Sequence, residues 1–194
     1  MRRTVMFRTL VTIVVAGFLA AGAVRAAPAG VVDLDGRAVD PLAVRDARAH
    51  VLVFTTTDCP ISNRYAPEIT RLAERYGGRG VRFWIVYPVP GDTPEKIRAH
   101  MSQLGLSLPV ARDTAFTLVK RTGVGVTPEV AVIDRGGEMI YRGRVDDRYV
   151  DFGVDRPAPT THDLDQALVN LLAGKPVEPK TTQAVGCILS DLLK

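Results

Sequence analysis

A mixed α/β sheet with helices on both faces is the fold class this sequence predicts, and three observations carry the prediction. Residues 50–57, HVLVFTTT, and 81–88, VRFWIVYP, are nearly unbroken apolar and β-branched runs, the pattern of strands buried on both sides. Between them Ile61, Tyr65, Ile69, Leu72, Ala73 and Tyr76 recur at three- and four-residue steps, which is helical spacing. Strand, helix, strand needs a crossover, so the two strands lie parallel. A third run, VTPEVAVID (126–134), turns at RGG (135–137) into EMIYRGRV, the spacing of a hairpin.

The remaining elements follow in order. VVDLDGRAVDPL (31–42) places the turn signal Asp35–Gly36 between short apolar runs and predicts a small hairpin. The first helix stops at Gly77–Gly78 and contains Pro67, which costs about 3 kcal/mol in propensity and should bend it. DTPEKIRAHMSQLG (92–105) is a helix with Thr93 as N-cap, Pro94 in its first turn and Gly105 past its end. LPVARD is short and extended, and TAFTLVKRTG is a short helix. TTHDLDQALVNLLAG (160–174) is a closing amphipathic helix, capped by Thr160 with Asp163 three residues on. KPVEPKTTQ is linker-like and delivers a short tail, AVGCILSDLLK. Residues 1–26, 27–176 and 177–194 therefore divide as leader, domain and tail.

The 194 residues suit one domain with a buried core. The net charge of +4 belongs to the N-terminus. Arg2, Arg3, Arg8 and Arg25 lie within residues 1–26 with no acid beside them, and the rest of the chain has 21 basic against 21 acidic residues. A neutral body without a basic stripe offers little to a phosphate backbone, which excludes nucleic acid as a partner. The leader reads as a secretory signal: a basic start, an uncharged stretch from Thr9 to Val24, and VRA before Ala27. Its 16 residues fall short of the roughly 20 needed to span a bilayer, so a membrane is a partner only if the leader stays uncleaved. A periplasmic or secreted location is expected, in a compartment where thiols can pair. Two cysteines are present to do so, Cys59 and Cys187.

Cys59 sits where a buried strand ends and a helix begins. Backbone N–H groups without intrahelical partners and the positive end of the helix dipole both favour thiolate there. Pro60 suits the first turn, where its missing N–H is not needed. CPISNRYAPEITRLAERY, with a cysteine at the helix start and a proline eight residues later, resembles the active-site segment of thioredoxin-fold proteins. GVTPEVAVIDRGGEMIYRGRV is similar to the loop before that superfamily's antiparallel hairpin. The resemblance covers roughly residues 30–174. It implies a thioredoxin-like fold, a cis Thr127–Pro128 bond lying against Cys59, and a substrate-contacting loop shaped by Pro128.

The subfamily pattern is incomplete. Ser62 stands where thioredoxins have their second cysteine, and Asn63 stands where copper-chaperone relatives have theirs. The alkyl hydroperoxide reductase/thiol-specific antioxidant group has Pro-x-x-x-Thr-x-x-Cys. Here Thr56 matches and Leu52 replaces the proline. The stretch from CPISN to AVGCI also looks like exported bacterial redoxin-domain proteins. With Ser62 unable to resolve a mixed disulfide, Cys187 is the remaining candidate. KPVEPKTTQAVG is long enough to bring it within the roughly 7 Å that a disulfide requires.

The expectation is a thiol–disulfide oxidoreductase with Cys59 as nucleophile, Cys187 as resolving thiol, and protein thiols or disulfides plus an external thiol reductant as partners. Two alternatives stand beside it. One is a thiol peroxidase acting on hydroperoxide, with an arginine among Arg142, Arg144 and Arg148 near the sulfur. The other is a non-catalytic accessory module, with a structural disulfide. Thr56 and Ser62 either hydrogen-bond the Cys59 sulfur or merely end the strand and cap the helix. His50, His100 and His162 lack ligand spacing, so neither a metal nor another cofactor is expected.

Overall fold

The computed structural model describes residues 30–44 and 46–189; the leader expected over 1–26 lies outside them. In chain order the elements are β1 (Ala49–Phe54), α1 (Pro60–Gly77), β2 (Val81–Tyr87), α2 (Pro94–Gln103), β3 (Val110–Arg112) and α3 (Thr117–Thr122). There follow β4 (Val126–Thr127), β5 (Glu129–Asp134), β6 (Met139–Gly143), β7 (Tyr149–Asp151), β8 (Val154–Asp155), α4 (Asp163–Leu172) and β9 (Cys187–Ile188).

Five strands form the central sheet in the order β3-β2-β1-β5-β6. β1 runs parallel to β2, and β2 to β3, while β5 is antiparallel to both β1 and β6. All six residues of β1 are buried, as a strand covered on both faces requires. Alternate residues supply the two cores. Ala49, Val51 and Val53 pack with Ile61, Tyr65, Ile69 and Leu72 of α1, Ile97 of α2, and Leu164 and Leu168 of α4. Leu52 and Phe54 pack on the other face with Leu118 of α3, Ala131, Ile133 and Leu189. The mixed sheet with helices on both faces is thus as the sequence predicts.

Several local signals are met and one is not. Thr93 caps α2 by accepting from the Lys96 N–H at 3.3 Å, with Pro94 in the first turn. The 31–42 segment closes its turn through the Asp33 N–H to the Arg37 carbonyl and bridges Val32 to Ala38. Pro67 lies inside an unbroken α1. The cap of α4 differs from expectation: the helix begins at Asp163 with His162 as N-cap and no side-chain cap bond. The Thr160 and Thr161 amides instead donate to buried Asp147, at 2.6 and 2.9 Å, and the Thr160 hydroxyl also donates to it. A carboxylate from the preceding loop outcompeted the local capping box by collecting several donors at once.

The tail does not hang free. The Arg142 N–H donates to the Lys180 carbonyl at 2.9 Å and the Thr182 N–H to the Arg142 carbonyl at 3.0 Å, so the chain extends the sheet beyond β6. Tyr141 Oη and Thr182 Oγ1 lie 2.6 Å apart, fixing this edge. β9 then pairs antiparallel with β4, Thr127 opposite Cys187 and Val126 opposite Ile188. The Leu189 N–H donates to the Gly125 carbonyl at 3.0 Å, and its side chain is buried. Residues 180–189 form a strap across two edges of the domain.

Candidate active site

β1 delivers the chain to Thr55–Cys59, and α1 starts immediately after. Cys59 is extended, at φ −90° and ψ 106°, while its carbonyl already accepts from the Asn63 N–H at 3.1 Å, the geometry of an N-cap. The connection is held by Asp92, which accepts from the Thr57 N–H at 3.3 Å and from its hydroxyl at 2.5 Å. Thr56 meets Cys59 through its backbone, its carbonyl lying 3.4 Å from the Cys59 nitrogen.

The loop before β5 reaches the same point from the other side. Thr127–Pro128 is cis, as the resemblance implies, and the Cys59 thiol donates to the Thr127 carbonyl at 3.0 Å. Glu129 organises this loop by accepting from the Gly125 N–H at 2.9 Å, and its other oxygen lies 3.4 Å from the Arg142 guanidinium. The strap brings the second cysteine in. Cys187 Sγ donates to Cys59 Sγ at 2.8 Å, joining residues 128 apart in sequence. Both cysteines are free thiols here.

Gly186 is what permits the approach. A Cβ built on it would lie 2.0 Å from the Thr127 oxygen, 2.6 Å from the Thr127 carbonyl carbon and 3.1 Å from the Pro128 nitrogen. All three are backbone atoms with no room to yield, so only glycine lets the strap lie flat on the cis-proline loop.

The two sulfurs are electrostatically unlike. Burial opposes ionisation at Cys59, but the Cys187 thiol, the Ser62 hydroxyl, and the Ser62 and Cys187 amides outweigh it and hold Cys59 below the ordinary thiol range. Ser62 is buried and its hydroxyl has no hydrogen-bond partner among the described residues in the thiol state, which leaves that donor available to a thiolate. Burial raises Cys187, and donation to Cys59 and the charge there raise it further, to about 12.

Of the residues singled out in the sequence, Cys59, Ser62, Thr127, Pro128 and Cys187 meet at this point, and Thr56 abuts through its carbonyl. The arginines face elsewhere. Arg142 donates to the Gly123 carbonyl at 2.7 Å, Arg144 pairs with Asp163 at 2.8 Å, and Arg148 donates to the Pro157 carbonyl at 3.1 Å. His50 and His162 lie on separate elements from His100, and among the described residues no group of three or more His, Cys, Asp or Glu is placed to hold a metal.

Sequence reasoning missed a buried polar chain behind the helix start. His100 Nδ1 lies 2.8 Å from Tyr87 Oη, and its Nε2 lies 2.7 Å from Asn63 Oδ1. Burial lowers the His100 pKa, which favours the neutral ring in this chain of bonds. It borders a small cavity of about 20 Å³ lined by Ser62, Tyr65, His100, Leu104, Leu106 and Pro128. Asn63 follows Ser62 on α1, and that adjacency was the available signal.

Comparison with known proteins bears on the family and the fold. The sequence model of the Redoxin family matches residues 23–154. Curated relatives named thiol-disulfide oxidoreductase ResA, from Bacillus thuringiensis and Bacillus anthracis, are 27% identical over 110 residues. The match spans 57% of this chain and 62% of theirs. Among solved structures, an uncharacterized conserved protein from Geobacillus kaustophilus superposes with a TM-score of 0.72 at 29% identity, over 84% of this chain and 88% of its own. A secreted Mycobacterium tuberculosis disulfide oxidoreductase shares the fold, with a TM-score of 0.51 at 19% identity, over 74% and 93% of the two chains. With most of its sheet and the Cys59 segment inside the matched span, the chain belongs to the Redoxin family.

Proposed function

We propose that this protein is an exported thiol–disulfide oxidoreductase whose redox pair is Cys59 and Cys187. The observation that carries the reading is the 2.8 Å approach of the two sulfurs, one held toward thiolate and the other kept protonated. In the reduced state, when β9 lifts from it, the Cys59 thiolate attacks a sulfur of a substrate disulfide and expels a thiolate, forming a mixed disulfide. Cys187 gives its proton to solvent or to that leaving group, attacks Cys59 Sγ and releases the second substrate thiolate. The substrate leaves as a dithiol and the enzyme as a cystine, and an external thiol reductant returns it. The name of the curated relatives supports protein thiols as the substrate class. Export rests on the basic, then apolar, then small-residue pattern of residues 1–26.

The test is a non-reducing peptide map of protein treated with oxidised dithiothreitol or hydrogen peroxide, alongside an insulin-reduction assay. A Cys59–Cys187 crosslinked peptide that reductant removes, with activity lost in Cys59→Ser, is the expected result. A crosslink that resists reduction, with no activity, makes the bond structural only and ends the proposal.

A further inference from the structure

The cystine of the reading above must be opened by an outside thiolate, and attack at either sulfur would open it. The surroundings of the two sulfurs are unequal. Cys59 is 0% exposed, with the Thr127 carbonyl against it and β9 drawn across it. Cys187 is only partly buried and forms part of the wall of an open surface groove of about 520 Å³, with Val126, Phe152, Val185 and Ile188. The side chains flanking that groove, Phe152 and Ile188, are 66% and 52% exposed.

We propose that the reducing thiolate attacks Cys187 and not Cys59, so that the tail cysteine carries the mixed disulfide and Cys59 departs as the leaving thiolate. This rests on the two cysteines being a redox pair, and it fixes which of them meets the reductant. The step balances. A thiolate RS⁻ forms a bond to Cys187 Sγ, the Cys59–Cys187 bond breaks, and its electron pair leaves on Cys59. A second thiolate from the reductant then attacks the R sulfur, yielding RSSR and releasing Cys187, which takes up a proton.

Exchange chemistry points the same way as access. The sulfur with the more stable thiolate leaves faster. At Cys59 the Ser62 hydroxyl and the amides of Ser62 and Cys187 receive the departing charge. Attack at Cys59 would instead expel Cys187, the thiol pushed up to about 12. Once cleaved, the bond no longer pins the strap, which is then held by its own pairing with β4 and by Leu189, as in the thiol state.

The experiment uses the oxidised full chain, exposed briefly to substoichiometric glutathione in one arm and to a single-cysteine peptide in the other. Both are quenched with acid, blocked with N-ethylmaleimide and mapped by mass. The expected map has the adduct on the Cys187 peptide and the maleimide on Cys59, in at least tenfold excess over the reverse. Adduct in both arms assigns small and polypeptide thiols alike, and adduct in the peptide arm alone assigns a polypeptide cysteine. Adduct mainly on Cys59 overturns the proposal while leaving the redox pair intact. Starting material with no Cys59–Cys187 crosslink overturns the pair itself, and this inference with it.

Discussion

Replacing Gly186 with alanine tests whether the strap is what holds the two sulfurs together. The added methyl would stand 2.0 Å from a backbone oxygen, so β9 must lift off β4. The loss can be sized from the contacts the strap makes there. The buried Leu189 side chain is worth about 1.5–3 kcal/mol. The Leu189 N–H to Gly125 bond and the β4–β9 pairing add roughly 1 kcal/mol per hydrogen bond. A total of about 3–5 kcal/mol corresponds to a rise from roughly a hundredfold to several thousandfold in the open fraction, at tenfold per 1.4 kcal/mol. Part of that gain is offset because Cys59 loses the Cys187 hydrogen bond and is less ionised when uncovered. The reduced variant should therefore alkylate at Cys59 with iodoacetamide at least about tenfold faster than the parent at pH 7. It should form the Cys59–Cys187 crosslink more slowly while keeping its far-ultraviolet circular dichroism. Parent-like alkylation together with parent-like crosslinking would falsify the role given to the strap.

Three further outcomes follow from the site. In Cys187→Ala the Cys59 thiolate loses its thiol donor, so the alkylation pH profile should move to higher pH. Ser62→Ala should move it in the same direction by less, and an unmoved profile in both would refute the donor assignment. For the reduced protein, stability linked to the depressed Cys59 is present above the ordinary thiol pKa of roughly 8.5 and is lost as pH falls through the folded value. Cys187 acts oppositely: the unfolded thiol ionises first, so stability falls from about pH 8.5 toward 12, and urea titrations should show that alkaline loss reduced in Cys187→Ala. Leu189→Ala should weaken strap docking by about 2–4 kcal/mol, seen as faster amide exchange at residues 186–189 with the central strands unchanged.

The parts of this molecule that were legible in the sequence are those governed by short-range pattern. The run at 50–57 reads as a strand buried on both sides and the spacing from Ile61 to Tyr76 as a helix, so the junction at Cys59 is legible in the sequence. The cap of α4 was misread because Asp147 lies outside the window in which a capping box is judged, yet takes both threonine amides. The pairing of Thr127 with Cys187 had no local signature. It depends on the strap following β6 from Lys180 onward, which rests on backbone bonds that any residue other than proline can make. Gly186 was visible as a glycine, but the carbonyl that demands it lies some 60 residues earlier in the chain. The Asn63–His100–Tyr87 chain was hidden for the same reason: its members belong to α1, α2 and β2, and each alone reads as an ordinary polar or aromatic position.

In the proposed redox pair, setting the second sulfur on a peptide strap would couple oxidation state to an event at the perimeter. Where two cysteines share one helical turn, the backbone holds them in range whatever happens at the surface. Here proximity depends on Thr182 gripping Tyr141 and on Leu189 staying seated. A molecule that pries at residues 180–183 would, by reciprocity, make the proposed cystine easier to reduce without touching either sulfur.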